Sequence, residues 1–182
     1  YKVAKQIASP GKGLLASDEI TPGMGKKFDL IGLENTFENR RRYRQLLYTT
    51  PGLNRYISGI IFNPETFNEF NIDGNGQRLV DYVNNENILV GIKVDFGVRD
   101  LPYKPNEKFT VGTDGLLQRA ATFYKNGAKF TKLRVAFKIQ NGYISPTTIT
   151  ENILLSAKYA LICQSVGLVP IVEPDLVMDG NH

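Results

Sequence analysis

The length, composition and charge of the chain are those of one globular domain. The 182 residues are 42% hydrophobic and 22% charged, with a net charge of +4, which fits about one domain of ordinary composition. No Lys/Arg run favours nucleic acid or a membrane surface as a partner, and no segment approaches the roughly 20 apolar residues of a membrane helix. The single cysteine, Cys163, and the single histidine, His182, exclude an intrachain disulfide and argue against a zinc site or a histidine triad in this chain.

Five short apolar segments predict strands. They are rich in Ile, Val, Leu or Phe and bounded by Gly, Asn or Pro, and they cover Gly13–Glu19, Ile57–Asn63, Ile88–Asp95, Lys129–Phe137 and Leu168–Pro174. Near-continuous apolar runs of this length are typical of strands that are covered on both faces.

Helical patterns lie between these strands, over residues 34–50, 113–127 and 144–167. Most arginines of the first helix are predicted on a solvated face, with one or two able to reach into a site. In the third, Ser145 is the predicted N-cap, and the predicted buried stripe is Ile149, Ile153, Leu154, Ala157, Ala160 and Leu161. The segment 97–112 is predicted to be a polar loop. Strands that alternate with helices indicate an α/β fold with a parallel sheet.

Charged residues recur at the carboxyl ends of the predicted strands. The first strand ends in Asp18 and Glu19, and the later strands carry the pairs Lys93 and Asp95, Lys132 and Arg134, and Glu173 and Asp175. Residues two apart on a strand face the same way, and sites in parallel α/β folds lie at these strand ends. Any one pair could be a structural ion pair, but repetition on four strands favours a site that handles an anionic substrate by acid/base chemistry.

Longer motifs resemble class I fructose-1,6-bisphosphate aldolase along the whole chain and in the family's order. They are SPGKGLLASDE, IGLENTFENRRRYRQLL, VGIKVDFGV, GTDGLLQR, YKNGAKFTKLRVAFKI and GLVPIVEPD. The resemblance implies a TIM (β/α)8 barrel, of which this chain supplies about the first five βα units. Residues 1–182 would then be a single barrel domain that is incomplete at its C-terminus.

The resemblance also implies an activity and a setting. The family is a lyase of glycolysis and gluconeogenesis that needs no metal and no cofactor. It cleaves fructose 1,6-bisphosphate to dihydroxyacetone phosphate and glyceraldehyde 3-phosphate through a lysine Schiff base. The implied substrate is a phosphorylated sugar, and the implied state is a cytoplasmic homotetramer with no nucleic-acid or membrane partner. Because family members hold cytoskeletal and adhesin tails, a tail of that kind is a further implied partner.

The family's functional residues map onto the motifs of this chain. Asp18 matches the acid that moves the proton of the substrate hydroxyl, and Glu173 matches the acid/base of Schiff-base formation. Lys132 matches a cation that lowers the pKa of the nucleophilic lysine, and Asp175 is the second acid of the VEPD motif. The implied substrate-binding residues are Lys27, Arg40, Lys93 and Arg134.

The chain also departs from the family's pattern. The loop after the first acid reads DEITPGMGKK where animal members read like DESTGSIAKR, so Lys27 replaces an arginine and offers phosphate a point charge. The Schiff-base lysine belongs to a motif like LLKPN that this sequence does not reach, and we expect the sequence to be a piece of a longer chain. Two alternatives remain, a non-catalytic aldolase-like scaffold and another phosphate-handling barrel enzyme. The VEPD and TKLR motifs argue against the second alternative.

Overall fold

The computed structural model describes residues 1–74, 76–104 and 106–178, so Asn75 of the 71–77 turn and the single histidine, His182, lie outside the described residues. The chain divides into two compact units. The first comprises Tyr1–Lys93 with Gly127–Phe130, and the second comprises Val94–Asn126 with the chain from Thr131 onward. A single domain over residues 1–182 stays a prediction.

The first unit is built on three parallel strands. These are β1 (Gly13–Ala16), β2 (Ile57–Phe62) and β3 (Leu89–Lys93), with β1 paired to β2 and β2 paired to β3. Its helices are α1 (Lys2–Ile7), α2 (Thr21–Asp29), α3 (Phe37–Tyr48), α4 (Pro64–Glu69) and α5 (Leu79–Asn85), with a 3-10 turn at Leu53–Arg55. The first three predicted strands and their parallel arrangement are therefore confirmed.

An aromatic ring from a distant part of the sequence completes the core of this unit. Lys129 N donates to the carbonyl of Val90 over 2.8 Å, which brings the neighbouring Phe130 onto the sheet, where its side chain is fully buried. A Cβ atom at Gly91 would lie 2.1 Å from that ring, and one at Gly59 would lie 3.0 Å from it. Both strands therefore need glycine where the ring lies against them.

The second unit contains the remaining strands and helices. They are β4 (Val98–Asp100), β5 (Lys108–Thr110), α6 (Leu116–Lys125), β6 (Phe130–Phe137), α7 (Pro146–Ser165) and β7 (Val169–Leu176); the first residue of β6, Phe130, belongs to the first unit. Strands β6 and β7 are neighbours, and Val177 N donates to Phe137 O over 2.8 Å at their ends. The fourth and fifth predicted strands are confirmed as β6 and β7.

The segment 97–112 is not a loop throughout, so that prediction was wrong. It contains the antiparallel hairpin of β4 and β5, in which Val98 pairs with Thr110 and Asp100 pairs with Lys108. Each strand has only three residues, too few for an alternating pattern to be visible in the sequence. The ladder of backbone hydrogen bonds forms the hairpin despite its polar composition.

Helix α7 begins as predicted, but its buried face differs from the prediction. Ser145 is the N-cap, and its hydroxyl accepts a hydrogen bond from Thr148 N at 3.3 Å. The buried residues of the helix are Thr148, Asn152, Tyr159 and Cys163. From the predicted apolar stripe, Ile149, Ile153, Leu154 and Leu161 are 39%, 57%, 61% and 69% exposed. The stripe prediction was therefore wrong.

The inward face of α7 is polar because it satisfies the backbone of the hairpin. Asn152 Oδ1 accepts from Thr110 N at 3.0 Å, and Asn152 Nδ2 donates to Lys108 O at 3.3 Å. Tyr159 forms a hydrogen bond with the hydroxyl of Thr131 at 2.7 Å. A buried backbone N–H needs a partner, so an asparagine occupies the position that hydrophobic periodicity assigns to an apolar residue.

Candidate active site

The predicted site residues are divided between the two units. Asp18, Lys27, Arg40 and Lys93 belong to the first, and Lys132, Arg134, Glu173 and Asp175 to the second. Asp18 lies two residues after β1 and is buried, and Lys93 is the last residue of β3 and half-buried. Both therefore lie at the carboxyl ends of parallel strands, where sites of α/β folds form.

In the first unit a carboxylate lies between two cations. Glu19 Oε1 accepts a hydrogen bond from Lys27 Nζ in α2, and Glu19 Oε2 accepts from Arg44 Nη1 in α3 at 3.0 Å. The carbonyl of Glu19 accepts from Arg44 Nη2 at 3.1 Å and from Asn63 Nδ2 at 2.6 Å. Burial opposes the charged form of Glu19, but hydrogen bonds from Lys27, its own backbone and Arg44 hold its pKa below the usual value.

Helix α3 buries three of its four arginines, so the prediction that most of them are solvated was wrong. Arg40, Arg41 and Arg44 are 8%, 7% and 1% exposed, whereas the side chain of Arg42 is 69% exposed. The buried guanidinium groups pair with carboxylates far away in sequence, namely Glu65, Asp73 and Glu19. A charge can be buried when a partner of opposite sign comes with it.

The contacts of Arg40 engage all three of its guanidinium nitrogens. Nε and Nη2 donate to the two oxygens of Glu65 at 2.8 and 2.6 Å, and Nη1 donates to Asn35 O and Oδ1, each at 3.0 Å. Asn35 Nδ2 in turn donates to Thr21 O at 2.9 Å. Arg40 therefore braces the first turn of α2 through Asn35, and its role as a phosphate ligand stays a prediction.

In the second unit two cations of β6 face two carboxylates of β7. Lys132 Nζ lies 2.7 Å from Glu173 Oε2, and Arg134 Nη2 lies 2.5 Å from Asp175 Oδ2. Arg134 Nε is also 3.9 Å from Glu173 Oε1. The structure therefore brings all four predicted residues of this unit together, as their spacing of two along each strand indicates. Their catalytic roles stay predictions.

A further carboxylate contributes to this cluster. Asp95 is 8% exposed; its Oδ1 accepts from Gly97 N at 3.0 Å and its Oδ2 from Arg134 N at 3.3 Å. The sequence pattern places Asp95 beside Lys93 and Glu19 beside Asp18 at strand ends, but no motif assigns either carboxylate a role. Arg44 has no assigned role either, although it lies one helical turn after Arg40.

The chemistry available to these clusters is proton transfer and anion binding. Within the described residues, no group of three or more His, Cys, Asp or Glu side chains could hold a metal ion. Glu19, Glu173 and Asp175 instead lie against lysine or arginine side chains, and a nearby cation favours the charged form of a carboxylate. A lysine or arginine that also has an exposed side can bind an anionic group of a substrate.

Comparisons of this chain with family models and with known proteins all identify the same family. The family model described as fructose-bisphosphate aldolase class-I matches residues 1–182. The chain is 47% identical to the chloroplastic fructose-bisphosphate aldolase 2 of Pisum sativum, over 100% of this chain and 51% of that protein. It is 46% identical to the cytosolic fructose-bisphosphate aldolase 4 of Arabidopsis thaliana, over 98% of this chain and 45% of that protein.

A solved structure matches the fold as well. It is a fructose-bisphosphate aldolase from Plasmodium falciparum in complex with TRAP and a small-molecule inhibitor. The TM-score is 0.94 at 45% identity, over 100% of this chain and 52% of that one. The predicted fold class is therefore confirmed, and the chain spans about half the length of the relatives it matches. None of the helices in the described part of the chain is long and apolar enough to cross a membrane.

Proposed function

This chain belongs to the class I fructose-bisphosphate aldolase family, and we propose that the protein containing it cleaves fructose 1,6-bisphosphate reversibly to dihydroxyacetone phosphate and glyceraldehyde 3-phosphate. The observation that carries the proposal is the pair of facing charges on β6 and β7, in which Lys132 Nζ lies 2.7 Å from Glu173 Oε2. A cation and a carboxylate in this position suit the formation and hydrolysis of a lysine Schiff base. The nucleophilic lysine itself is expected on a sixth barrel strand.

Lys132 and Glu173 divide the work of Schiff-base formation. The nucleophilic lysine attacks the ketone carbon of the sugar, and the resulting carbinolamine must lose its hydroxyl group as water. Glu173 donates the proton that this hydroxyl needs, and takes one back when water returns in hydrolysis. The charge of Lys132, whose side chain is 9% exposed, lowers the pKa of a neighbouring lysine, because two ammonium groups close together repel each other.

The remaining predicted residues handle the substrate. Asp18 accepts the proton of the hydroxyl group that becomes the aldehyde as the carbon–carbon bond breaks. The proposed cations for the phosphorylated substrate are Lys27, Arg40, Lys93 and Arg134. Lys27 suits this role because its side chain is 51% exposed and can reach an incoming anion.

We propose that the protein is a cytoplasmic homotetramer, as the resemblance to the family implies. The alternative function is that of a non-catalytic scaffold, and one observation favours it, namely that the solved Plasmodium falciparum relative is in complex with TRAP. The experiment below separates catalysis from a scaffold role.

The decisive experiment traps the Schiff base. The complete protein is incubated with fructose 1,6-bisphosphate and borohydride, and its intact mass is measured. We expect a mass well above 20.4 kDa with a triose-phosphate adduct. Lys132→Met should slow adduct formation at least tenfold, whereas Lys138→Met, which removes an exposed lysine at the end of β6, should not. A longer chain without any adduct would overturn the catalytic proposal and support the scaffold.

A further inference from the structure

The three charged groups around Glu19 differ sharply in exposure. The side chain of Lys27 is 51% exposed and that of Glu19 is 25% exposed, whereas that of Arg44 is 1% exposed. Glu19 therefore joins one cation on the surface to one in the interior. An exposed ion pair is weak because water and salt screen it. Of the two ion pairs of Glu19, the one with Lys27 is therefore the easier to replace by a contact with another anion.

Glu19 stays in place when that bond breaks. Its second carboxylate oxygen is held by Arg44 at 3.0 Å, and its carbonyl is held by Arg44 and by Asn63 at 3.1 and 2.6 Å. Asn63 is 3% exposed and is the N-cap of α4. With Lys27 gone, Glu19 and Arg44 remain as a neutral one-to-one pair, which leaves no uncompensated charge in the interior.

The helix that carries Lys27 is held at its first turn by Asn35, but its own sequence stabilises it only weakly. Helix α2 has glycine at positions 23 and 25, and its N-cap, Ile20, makes no side-chain cap hydrogen bond. Glycine within a helix costs about 1 kcal/mol relative to alanine, and a missing cap costs a similar amount. Met24 and Phe28 are its buried anchors. The flexible four-carbon stem of Lys27 supplies the remaining reach.

We infer that Glu19 is a specificity-determining residue that holds Lys27 in a resting position until a phosphate group of the substrate replaces the carboxylate. The inference rests on the proposed function, which makes Lys27 a phosphate ligand. A phosphate dianion carries more charge and more acceptor oxygens than a carboxylate, so it can take Lys27 from Glu19. An uncharged sugar cannot, and it would face a lysine that is already paired. Glu19 thus raises selectivity by competing with weak ligands.

The test measures binding of inorganic phosphate to the complete protein by isothermal titration calorimetry. Glu19→Gln removes the competing charge and keeps an oxygen for Arg44. We expect this variant to bind phosphate about two- to fivefold more tightly, the range that the loss of an exposed ion pair supplies. Lys27→Ala should weaken binding, and Glu19→Gln added to Lys27→Ala should change nothing further. Unchanged or weaker binding by Glu19→Gln would overturn the inference.

Three controls keep the test decisive. Glu38→Gln removes the same charge from an exposed position of α3 that pairs with Arg41 and Arg42, and phosphate affinity should stay at the parental value. If Glu19→Gln does not fold, Glu19→Asp shortens the reach to Lys27 and should tighten phosphate binding by a smaller factor. If Lys27→Ala binds phosphate like the parent, Lys27 is not the phosphate ligand and the inference is wrong.

The result is separable from the proposed function. Schiff-base trapping in the parent tests catalysis, and it does not depend on the Glu19 variants. If the parent protein forms the adduct but Glu19→Gln binds phosphate no more tightly, the aldolase proposal stands. The inference that Glu19 competes with phosphate for Lys27 is then wrong. A parent that forms no adduct but shows the phosphate effect would reject catalysis and retain the competition between Glu19 and phosphate.

Discussion

Helices α3 and α7 bury opposite kinds of side chain. Helix α3 is strongly polar, and the residues it buries are Arg40, Arg41, Arg44 and Tyr48. Helix α7 is rich in Ile, Leu and Ala, yet it buries Thr148, Asn152, Tyr159 and Cys163 and leaves Leu154 and Leu161 61% and 69% exposed. Hydropathy alone would predict that the arginines of α3 are exposed and that the leucines of α7 are buried.

This difference shows that the hydrogen-bonding and charged groups of the neighbouring elements decide which side chains of a helix are buried. The elements around α3 supply the carboxylates Glu19, Glu65 and Asp73, so its guanidinium groups are paired inside. The hairpin beside α7 supplies an open backbone N–H at Thr110, so Asn152 lies inside. Polar contacts therefore set the orientation of both helices, and four substitutions test how much stability depends on them.

The largest effect is expected from Arg44→Met. Methionine is also long and flexible and can fill similar space, but it leaves the Glu19 carboxylate without its buried partner, and removal of one member of a buried pair costs about 3 kcal/mol. Urea unfolding followed by circular dichroism measures the loss. The matched control is Arg42→Met on the same helix, which should change the unfolding free energy by less than about 0.5 kcal/mol. Equal losses at the two positions would mean that α3 gains nothing from its buried charges.

A smaller effect is expected from Asn152→Leu. Leucine is more hydrophobic, but it cannot accept the hydrogen bond that Thr110 N donates to Asn152 Oδ1 at 3.0 Å. The Thr110 N–H would then be buried without a partner, which costs about 2 kcal/mol. The unfolding free energy should fall by that amount. Hydrogen exchange at Thr110 should also accelerate, because its amide loses protection. A leucine variant that is as stable as the parent would show that the polar contact does not orient α7.

The complementary change, Ile153→Gln, is expected to have little effect. Ile153 is 57% exposed, so the variant should match the parent within about 0.5 kcal/mol in the same unfolding assay. This result would sharpen the contrast with its neighbour Asn152. A loss of about 2 kcal/mol would instead show that other residues of the complete protein cover this face, and the comparison between the two helices would then fail.

The smallest effect concerns the pH dependence of α3. A hydrogen bond from Arg41 lowers the pKa of Glu38 from its ordinary 4.5 to about 2. A carboxyl group with a depressed folded-state pKa contributes stability above its unfolded pKa and loses it as the pH falls through the folded value. Glu38→Gln should therefore show a smaller decrease in urea midpoint between pH 5 and pH 3 than the parent. Glu151→Gln, at an exposed position of α7, should keep the parental decrease.

Local signals in the sequence predicted much of this fold. Ser145 identified the start of α7 because capping depends only on neighbouring residues, and Gly127 and Gly167, with φ of 110° and 90°, follow α6 and α7 as helix-ending glycines do. The spacing of Lys132 and Arg134 and of Glu173 and Asp175 predicted that each pair faces one way, since strands have a period of two.

Signals that depend on distant partners were missed. Arg40 lies 25 residues before Glu65 in the sequence, and nothing in the helix pattern indicates that pair. The anchoring of Glu19 by Arg44 depends in the same way on the packing of α3. The role of Asn152 depends on a hairpin whose strands are too short to recognise. Local patterns thus located the helices and strands, while the buried polar contacts required the three-dimensional structure.

The ring of Phe130, which covers Gly59 and Gly91, is synthesised after both strands that it covers, and this order affects how the first unit folds. The first unit takes its last core side chain from a position that leaves the ribosome after the whole segment from Val94 to Asn126. Until then, two glycine-lined gaps stay open on the nascent sheet and expose apolar surface, the condition in which partly folded chains associate. A ribosome that pauses before Phe130 would therefore prolong the exposure of this apolar surface.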